Sequence, residues 1–145
     1  MNQPQTPLAG LLLVVAAGCS SSAPLEELPP DGGFLATPFM TLKSAKGDLS
    51  VELRSWPQPP AQGINSGELT VTQVDGGAPV DGLTVSIQPW MPAMDHGGTY
   101  PTVTAADGGR YVITNLDLYM PGLWQLRTNL VGPTQDNVAP EFEVP

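Results

Sequence analysis

The side chains best suited to chemistry lie in residues 90–100 of this chain. This stretch holds the single histidine and two of the methionines that follow the initiator. Met91, Met94 and His96 fall within six consecutive residues, so one flexible loop could place all three around one ion. Thioether sulfur and imidazole suit copper(I), whereas calcium and magnesium take oxygen ligands. The spacing therefore predicts a copper(I) site.

Neighbouring residues favour the same chemistry. Pro92 biases Met91 towards an extended conformation, and Gly97 and Gly98 add backbone freedom directly after the histidine. Met120, in a later Met-Pro-Gly sequence, is the predicted fourth ligand. Zinc fits less well, because structural zinc sites use cysteines or several histidines.

Two other interpretations of this stretch stay open. In the first, the protein is an interaction or assembly module of the cell envelope, with no metal, and apolar side chains insert into a partner protein. The residues involved would be Trp90, Met91, Pro92 and Met94. In the second, the methionines are ordinary core-filling residues, Trp90 and Trp124 lie in the core, and Met120 packs on a ring. Metal binding needs sulfur and imidazole, whereas partner binding needs only apolar shape. Substitutions that remove sulfur or imidazole but keep an apolar shape can therefore distinguish the two functions.

Catalysis is not expected from these residues. Asp95 lies beside the single histidine in the sequence, and an adjacent carboxylate cannot easily orient an imidazole as the acid of a catalytic triad does. The sequence contains no G-x-G-x-x-G, no P-loop and no C-x-x-C motif. We therefore expect a protein that is not an enzyme.

Composition and charge narrow the class of protein further. The chain has 145 residues, a formal net charge of −9 and 13% charged residues, with 16 glycines and 17 prolines. An acidic protein repels phosphate backbones and anionic lipid, so neither nucleic-acid binding nor docking through a basic patch is expected. Short runs rich in Val and Thr between turn residues predict one all-β domain.

The first residues resemble an export signal. Residues 8–17 form an apolar run with the length of a signal-peptide core, too short to span a bilayer, which takes about 20 residues. Residues 16–19, Ala-Ala-Gly-Cys, resemble a bacterial lipobox, which implies a lipid anchor on Cys19 and attachment to a membrane. Ordinary secretion is the alternative. Ser20 is not the aspartate linked with inner-membrane retention, so the resemblance favours the outer membrane, with the domain facing the periplasm or the exterior.

The rest of the chain divides into a linker and a folded domain. We expect a signal peptide at 1–18, a flexible linker at 19–43 and the domain at 44–145. Alternating apolar and polar residues predict strands at 49–56, 68–74, 83–90, 102–106, 110–118, 123–131 and 139–144, with an additional edge strand at 39–42. About seven short strands predict an immunoglobulin-like antiparallel β-sandwich, with a small open barrel as the competitor.

Strand direction predicts which loops share an end of the domain. If successive strands alternate in direction, the loop that holds His96 lies at the same end as the Pro-rich loop 57–63 and the turn at Met120. The linker then joins the domain at the opposite end.

Several short sequences resemble a known family. They are Trp-Met-Pro-Ala-Met-Asp-His-Gly at 90–97, Gly-Gly-Arg-Tyr at 108–111 and Met-Pro-Gly-Leu-Trp at 120–124. Over roughly 44–145 the chain resembles the YtkA-like and FixH-like families, which are small exported or membrane-anchored β-sandwich modules. The resemblance implies the sandwich fold, and domains related to YtkA-like modules accompany copper-handling and efflux proteins. FixH-like proteins carry a transmembrane helix and are linked with cation pumping for oxidase assembly, whereas this sequence has no apolar run of that length.

Overall fold

The computed structural model describes residues 29, 33–133 and 135–145, so the predicted signal peptide and Cys19 lie outside the described residues. Within the described part, the chain forms ten β-strands in two antiparallel sheets. The predicted immunoglobulin-like antiparallel sandwich is confirmed. The predicted edge strand is present as the first strand, and two further short strands, at 96–97 and 135–138, were not predicted. No helix in the described ranges has the length and apolar character needed to cross a membrane.

The first sheet contains five strands, and each neighbouring pair is antiparallel. In spatial order they are β1 (Met40–Lys43), β2 (Leu49–Trp56), β3 (Gly63–Gln73), β7 (Arg110–Leu118) and β6 (Thr102–Ala106).

The second sheet is built around β8, and its pairs are also antiparallel. Its main path runs β10 (Glu141–Val144), β8 (Gly122–Val131), β4 (Thr84–Met91) and β5 (His96–Gly97). β9 (Gln135–Val138) also pairs with β8, beyond the part that β10 covers.

The core lies between the sheets and follows the predicted alternation. Leu49, Val51 and Leu53 of β2 are buried, and so are Trp124 and Leu126 of β8. Successive side chains of a strand point to opposite faces, so these residues share the inner face of their sheets. Burial of apolar surface, at about 25 cal/mol per Å², is the main force that holds the two sheets together.

Two predicted boundaries change at the start of the domain. Met40–Lys43 lie inside the predicted linker bounds and close to the predicted edge strand at 39–42. They form β1 and pair with β2 along its outer edge. β3 starts at Gly63 instead of residue 68. Its pairing with β7 changes register between Asn65 and Gly67 and continues as far as Gly63. The described fold therefore starts earlier than residue 44.

The predicted attachment of the linker at the end opposite the histidine loop is wrong. β1 runs antiparallel to β2, with Met40 opposite Leu53. The guanidinium of Arg54 donates to the backbone oxygens of Leu35 and Ala36, at 3.1 and 3.2 Å. The extra strand reverses the chain once more, so the residues before β1 lie at the end where β2 finishes.

At the other end of the sandwich, Asp136 ties the two sheets together. The carboxylate belongs to β9 of the second sheet and accepts from the backbone N–H of Lys46, in the turn between β1 and β2, at 3.2 Å. The Asn137 N–H also donates to it, at 2.8 Å. Burial raises the pKa of Asp136, but hydrogen bonds from Ser44, Asn137 and Lys46 and the Lys46 charge together hold that pKa below its ordinary value.

We expect Asp136→Asn to lower the free energy of unfolding by about 1–3 kcal/mol at pH 7, because hydrogen bonds to a charged group are lost. The pKa of Asp136 is depressed in the folded state, so the carboxylate stabilises the fold fully at neutral pH. This stabilisation is lost as the pH falls below about 4. Urea unfolding at pH 7 and pH 3 measures this, with the exposed Asp75→Asn as control. An equal difference between wild type and Asp136→Asn at both pH values would contradict it.

Candidate functional site

Met91 is the last inward-facing residue of β4. It follows Ile87 and Pro89 in the strand alternation, and only 4% of its surface is exposed. Its methyl carbon Cε lies 3.3 Å from the point where a Cβ on Gly122 would stand. Gly122 also has φ +124°, which residues with side chains rarely adopt. The Met-Pro-Gly turn therefore needs glycine both for its backbone and to admit the Met91 side chain.

The segment after Met91 is a compact hairpin instead of a long flexible loop. Pro92–Met94 form a single 3-10 turn, which ends at Asp95 with a left-handed φ of 50°. The chain then returns as β5, where His96 pairs with Met91. Met94 is 53% exposed and His96 is half-buried, so both side chains can be reached from solvent.

His96 contacts Tyr119, at the end of β7. A hydrogen bond of 2.5 Å joins His96 Nε2 to the phenol oxygen, and the rings are stacked with centroids 6.2 Å apart. The other ring nitrogen, Nδ1, lies 3.4 Å from the Met94 carbonyl oxygen. The imidazole is thus held between the turn at 92–94 and the strand that leads to Met120.

Trp124 fixes the turn that carries Met120. Its ring is 0% exposed, and its Nε1–H donates to the Met120 carbonyl oxygen at 2.9 Å. The Tyr119 ring meets Trp124 edge-on, with centroids 5.3 Å apart. Gln62, from the loop before β3, donates to the Tyr119 carbonyl oxygen at 2.9 Å. The predicted meeting of the histidine loop, the Pro-rich loop and the Met120 turn at one end is therefore found.

Trp90 does not belong to this cluster. It lies on the outer face of β4, half-buried, with the guanidinium carbon of Arg127 4.0 Å from its ring centroid. The prediction that Trp90 is a core residue is wrong, because the buried positions of β4 are Ile87, Pro89 and Met91. The prediction that Trp124 is a core residue is right.

Tyr119 contributes to this site but was not predicted from the sequence. It immediately precedes Met120, so the strand direction that places Met120 beside the histidine loop also places Tyr119 there. Its side chain is 37% exposed, and it touches both His96 and Trp124.

The soft donor atoms at this end are thioether sulfur and imidazole nitrogen. Across residues 33–133 and 135–145, no group of three or more His, Cys, Asp or Glu side chains is arranged to hold a metal ion. The donor set at this end comprises Met91, Met94, His96 and Met120. Such a set suits a soft monovalent ion and not a hard divalent one.

Comparison with known proteins supports the fold. Two solved structures of FetP from uropathogenic Escherichia coli strain F11 are similar: a copper-bound variant and the protein "as isolated" after recombinant expression in the periplasm. The first has a TM-score of 0.51 and 10% identity, over 72% of this chain and 93% of that one. The second has a TM-score of 0.53 and 11% identity, over 73% and 93%.

No curated protein matches the sequence. The model of the YtkA-like family matches residues 43–129, which is more than half of the chain and includes β2 to β7 completely. The resemblance to the FixH-like family stays a prediction. On the strength of the residues 43–129 that match, this chain is a member of the YtkA-like family.

Proposed function

We propose that this protein is a non-catalytic module of the cell envelope that binds copper(I) at the end of the sandwich where His96 lies. One observation carries the proposal: the β4–β5 hairpin and the β7–β8 turn bring Met94, His96 and Met120 to the same end as the buried Met91. Thioether and imidazole donors without a carboxylate cluster favour copper(I).

The four predicted ligands differ in access. Met94 is exposed and would meet an ion first, while His96 and Met120 are half-buried. Met91 is almost fully buried, so its sulfur would close the site from the core side. When bound, copper(I) would supply a soft positive charge that accepts sulfur and nitrogen lone pairs, and the chain would contribute orientation and shelter from water.

The comparisons and the sequence support an envelope role. One similar structure is described as copper-bound FetP, and another as FetP expressed in the periplasm. The apolar run at 8–17 and the lipobox-like sequence at 16–19 agree with export and with a lipid anchor on Cys19. We retain the outer membrane, with the domain facing the periplasm or exterior, as part of the proposal.

Copper(I) titration of the domain against a competing chelator tests the proposal. We expect Met94→Leu and His96→Ala each to weaken copper(I) binding by about tenfold or more, which corresponds to ~1.4 kcal/mol. Met120→Leu should weaken binding as well. Bound copper(I) should raise the melting temperature of the wild type, because a ligand held by the native state alone stabilises it.

Met40→Leu is the matched control. Met40 is the other methionine after the initiator, and it lies in β1 of the first sheet, whereas His96 lies in β5 of the second sheet. Leucine has a similar volume, so Met→Leu removes sulfur at a cost usually below about 1.5 kcal/mol. If the triple variant of Met91, Met94 and His96 binds copper(I) as tightly as the Met40→Leu control, this end of the sandwich is not the site.

An interaction module without a metal is the second candidate, and surface exposure favours it. Met94 and Tyr119 present apolar surface to solvent at this end. Of the residues predicted for partner contact, only Pro92 and Met94 are exposed, since Met91 is buried and Trp90 is half-buried beneath Arg127. Partner binding that survives Met94→Leu and His96→Ala, with no copper(I) binding by the wild type, would support this candidate.

A further inference from the structure

We propose that Tyr119 is a positioning residue that directs one ring nitrogen of His96, Nδ1, towards copper(I). This inference rests on the proposed function of the site. Its basis is the hydrogen bond of 2.5 Å between the phenol oxygen of Tyr119 and His96 Nε2. That contact occupies Nε2, the nitrogen that is farther from the backbone.

The two nitrogens of His96 have different surroundings. Nε2 has a short contact with a hydroxyl group, whereas the Met94 carbonyl oxygen lies 3.4 Å from Nδ1, which is beyond the usual hydrogen-bond range of about 2.7–3.2 Å. Nδ1 therefore lies on the same side as the backbone of Met94, one of the proposed sulfur ligands. A metal at Nδ1 would keep the Tyr119 contact, whereas a metal at Nε2 would have to displace it.

A hydroxyl group suits this role because it can donate or accept. A neutral imidazole that binds a metal through one nitrogen carries its proton on the other, and that N–H usually donates to an oxygen that fixes the ring. The short contact between the phenol oxygen of Tyr119 and Nε2 fits either direction of the hydrogen bond, and with the proton on Nε2 the phenol oxygen accepts the Nε2–H. The Nδ1 lone pair is then available to copper(I), and the imidazole itself stays neutral.

Tyr119 is itself held in place, so it can orient its neighbour. Its ring packs edge-on against the buried Trp124, and its Cε1 lies 3.5 Å from the point where a Cβ on Gly98 would stand. Its backbone oxygen accepts from Gln62 at 2.9 Å. Loss of the hydroxyl alone should leave these contacts intact.

Tyr119→Phe tests the proposal by titration with copper(I) and by 15N NMR of the imidazole. The chain has one histidine, so the two ring nitrogens need no assignment among residues. In the copper(I)-loaded wild type we expect Nε2 to carry the proton and Nδ1 to bind the metal. We expect Tyr119→Phe to weaken copper(I) binding about tenfold, as loss of an outer hydrogen-bond partner does, and to shift the imidazole 15N signals of the metal-free protein.

Tyr100→Phe is the matched control, because it removes the same hydroxyl from a side chain that is 61% exposed. It should change neither the affinity nor the 15N signals, and both variants should keep the melting temperature of the metal-free wild type. Copper(I) on Nε2, or equal affinity in Tyr119→Phe and Tyr100→Phe, overturns the inference while the copper function stands. A wild type that binds no copper(I) overturns the proposed function and this inference together.

Discussion

Gly109→Ala is expected to destabilise the domain by about 3 kcal/mol or more. Gly109 has φ +71°, a conformation that destabilises a residue with a Cβ by about 1–2 kcal/mol. An added Cβ would also stand 2.4 Å from the backbone oxygen of Val71 and 3.0 Å from the backbone nitrogen of Val80. The Val71 backbone belongs to β3, which is paired with β2, and cannot move aside cheaply, so both costs apply. Urea unfolding at pH 7 measures the change.

The contacts of Gly109 explain why the chain comes so close there. Its carbonyl oxygen accepts from the Val71 N–H at 2.7 Å, and its own N–H donates to the Asp81 carboxylate at 2.7 Å. The glycine therefore joins the β6–β7 turn to β3 and to the segment before β4. A side chain at this position would separate three parts of the fold at once.

Gly108→Ala is the matched control for this substitution. Gly108 has a similar φ of +78°, but a Cβ there would meet no atom within 4 Å. Gly108→Ala should lower the free energy of unfolding only by the cost of a Cβ at positive φ, about 1–2 kcal/mol. Equal destabilisation by the two substitutions would show that the close approach to Val71 contributes nothing, and would contradict the structural explanation.

The same turn shows what the sequence can and cannot predict. Asp107-Gly108-Gly109 marks a hairpin turn from residue types alone, and the strands on either side, β6 and β7, have the predicted bounds. The different importance of the two glycines depends on Val71, which is distant in sequence. Local residue types specify turns, whereas tertiary contacts decide which turn residue is indispensable.

Strand length explains which elements were predicted. β2 and β8 are long enough to show alternation, and their buried faces agree with the prediction. β5 and β9 were not predicted, because they have four residues or fewer, too short for a period of two to stand out. The predicted edge strand at 39–42 is observed as β1, but the prediction of strand directions began at β2. The reversal between β1 and β2 places the entry of the chain at the end that holds His96.

Strand direction was enough to predict which loops meet at the candidate site. It was not enough to predict which side chains of a strand point into the core. Antiparallel alternation brings the Met120 turn to the histidine hairpin. Whether Trp90 or Met91 faces inward depends on the register of β4 against β8, which pairs Trp90 with Gln125. A shift by one residue exchanges the two faces. For that reason the burial of Met91 and the outward position of Trp90 came only from the structure.

Trp124→Ala is expected to lower the free energy of unfolding by about 3–5 kcal/mol, the usual cost of deleting a fully buried large aromatic side chain. The ring is 0% exposed and fills the core directly beneath the proposed site. Its loss also leaves the Met120 carbonyl oxygen without the indole N–H and Tyr119 without its aromatic neighbour. Urea unfolding of the metal-free protein measures the effect.

Two further substitutions separate the packing of Trp124 from its hydrogen bond. Trp90→Ala removes the same side-chain type from the outer face of β4, where it is half-buried against Arg127, and should cost about 1 kcal/mol. Trp124→Phe keeps an aromatic ring in the core but removes the bond to the Met120 carbonyl, so it should cost less than Trp124→Ala and still weaken copper(I) binding. If Trp90→Ala destabilised the domain as much as Trp124→Ala, the assigned faces of β4 and β8 would be wrong. If Trp124→Phe bound copper(I) like the wild type, the turn at Met120 would not need the indole to present its sulfur.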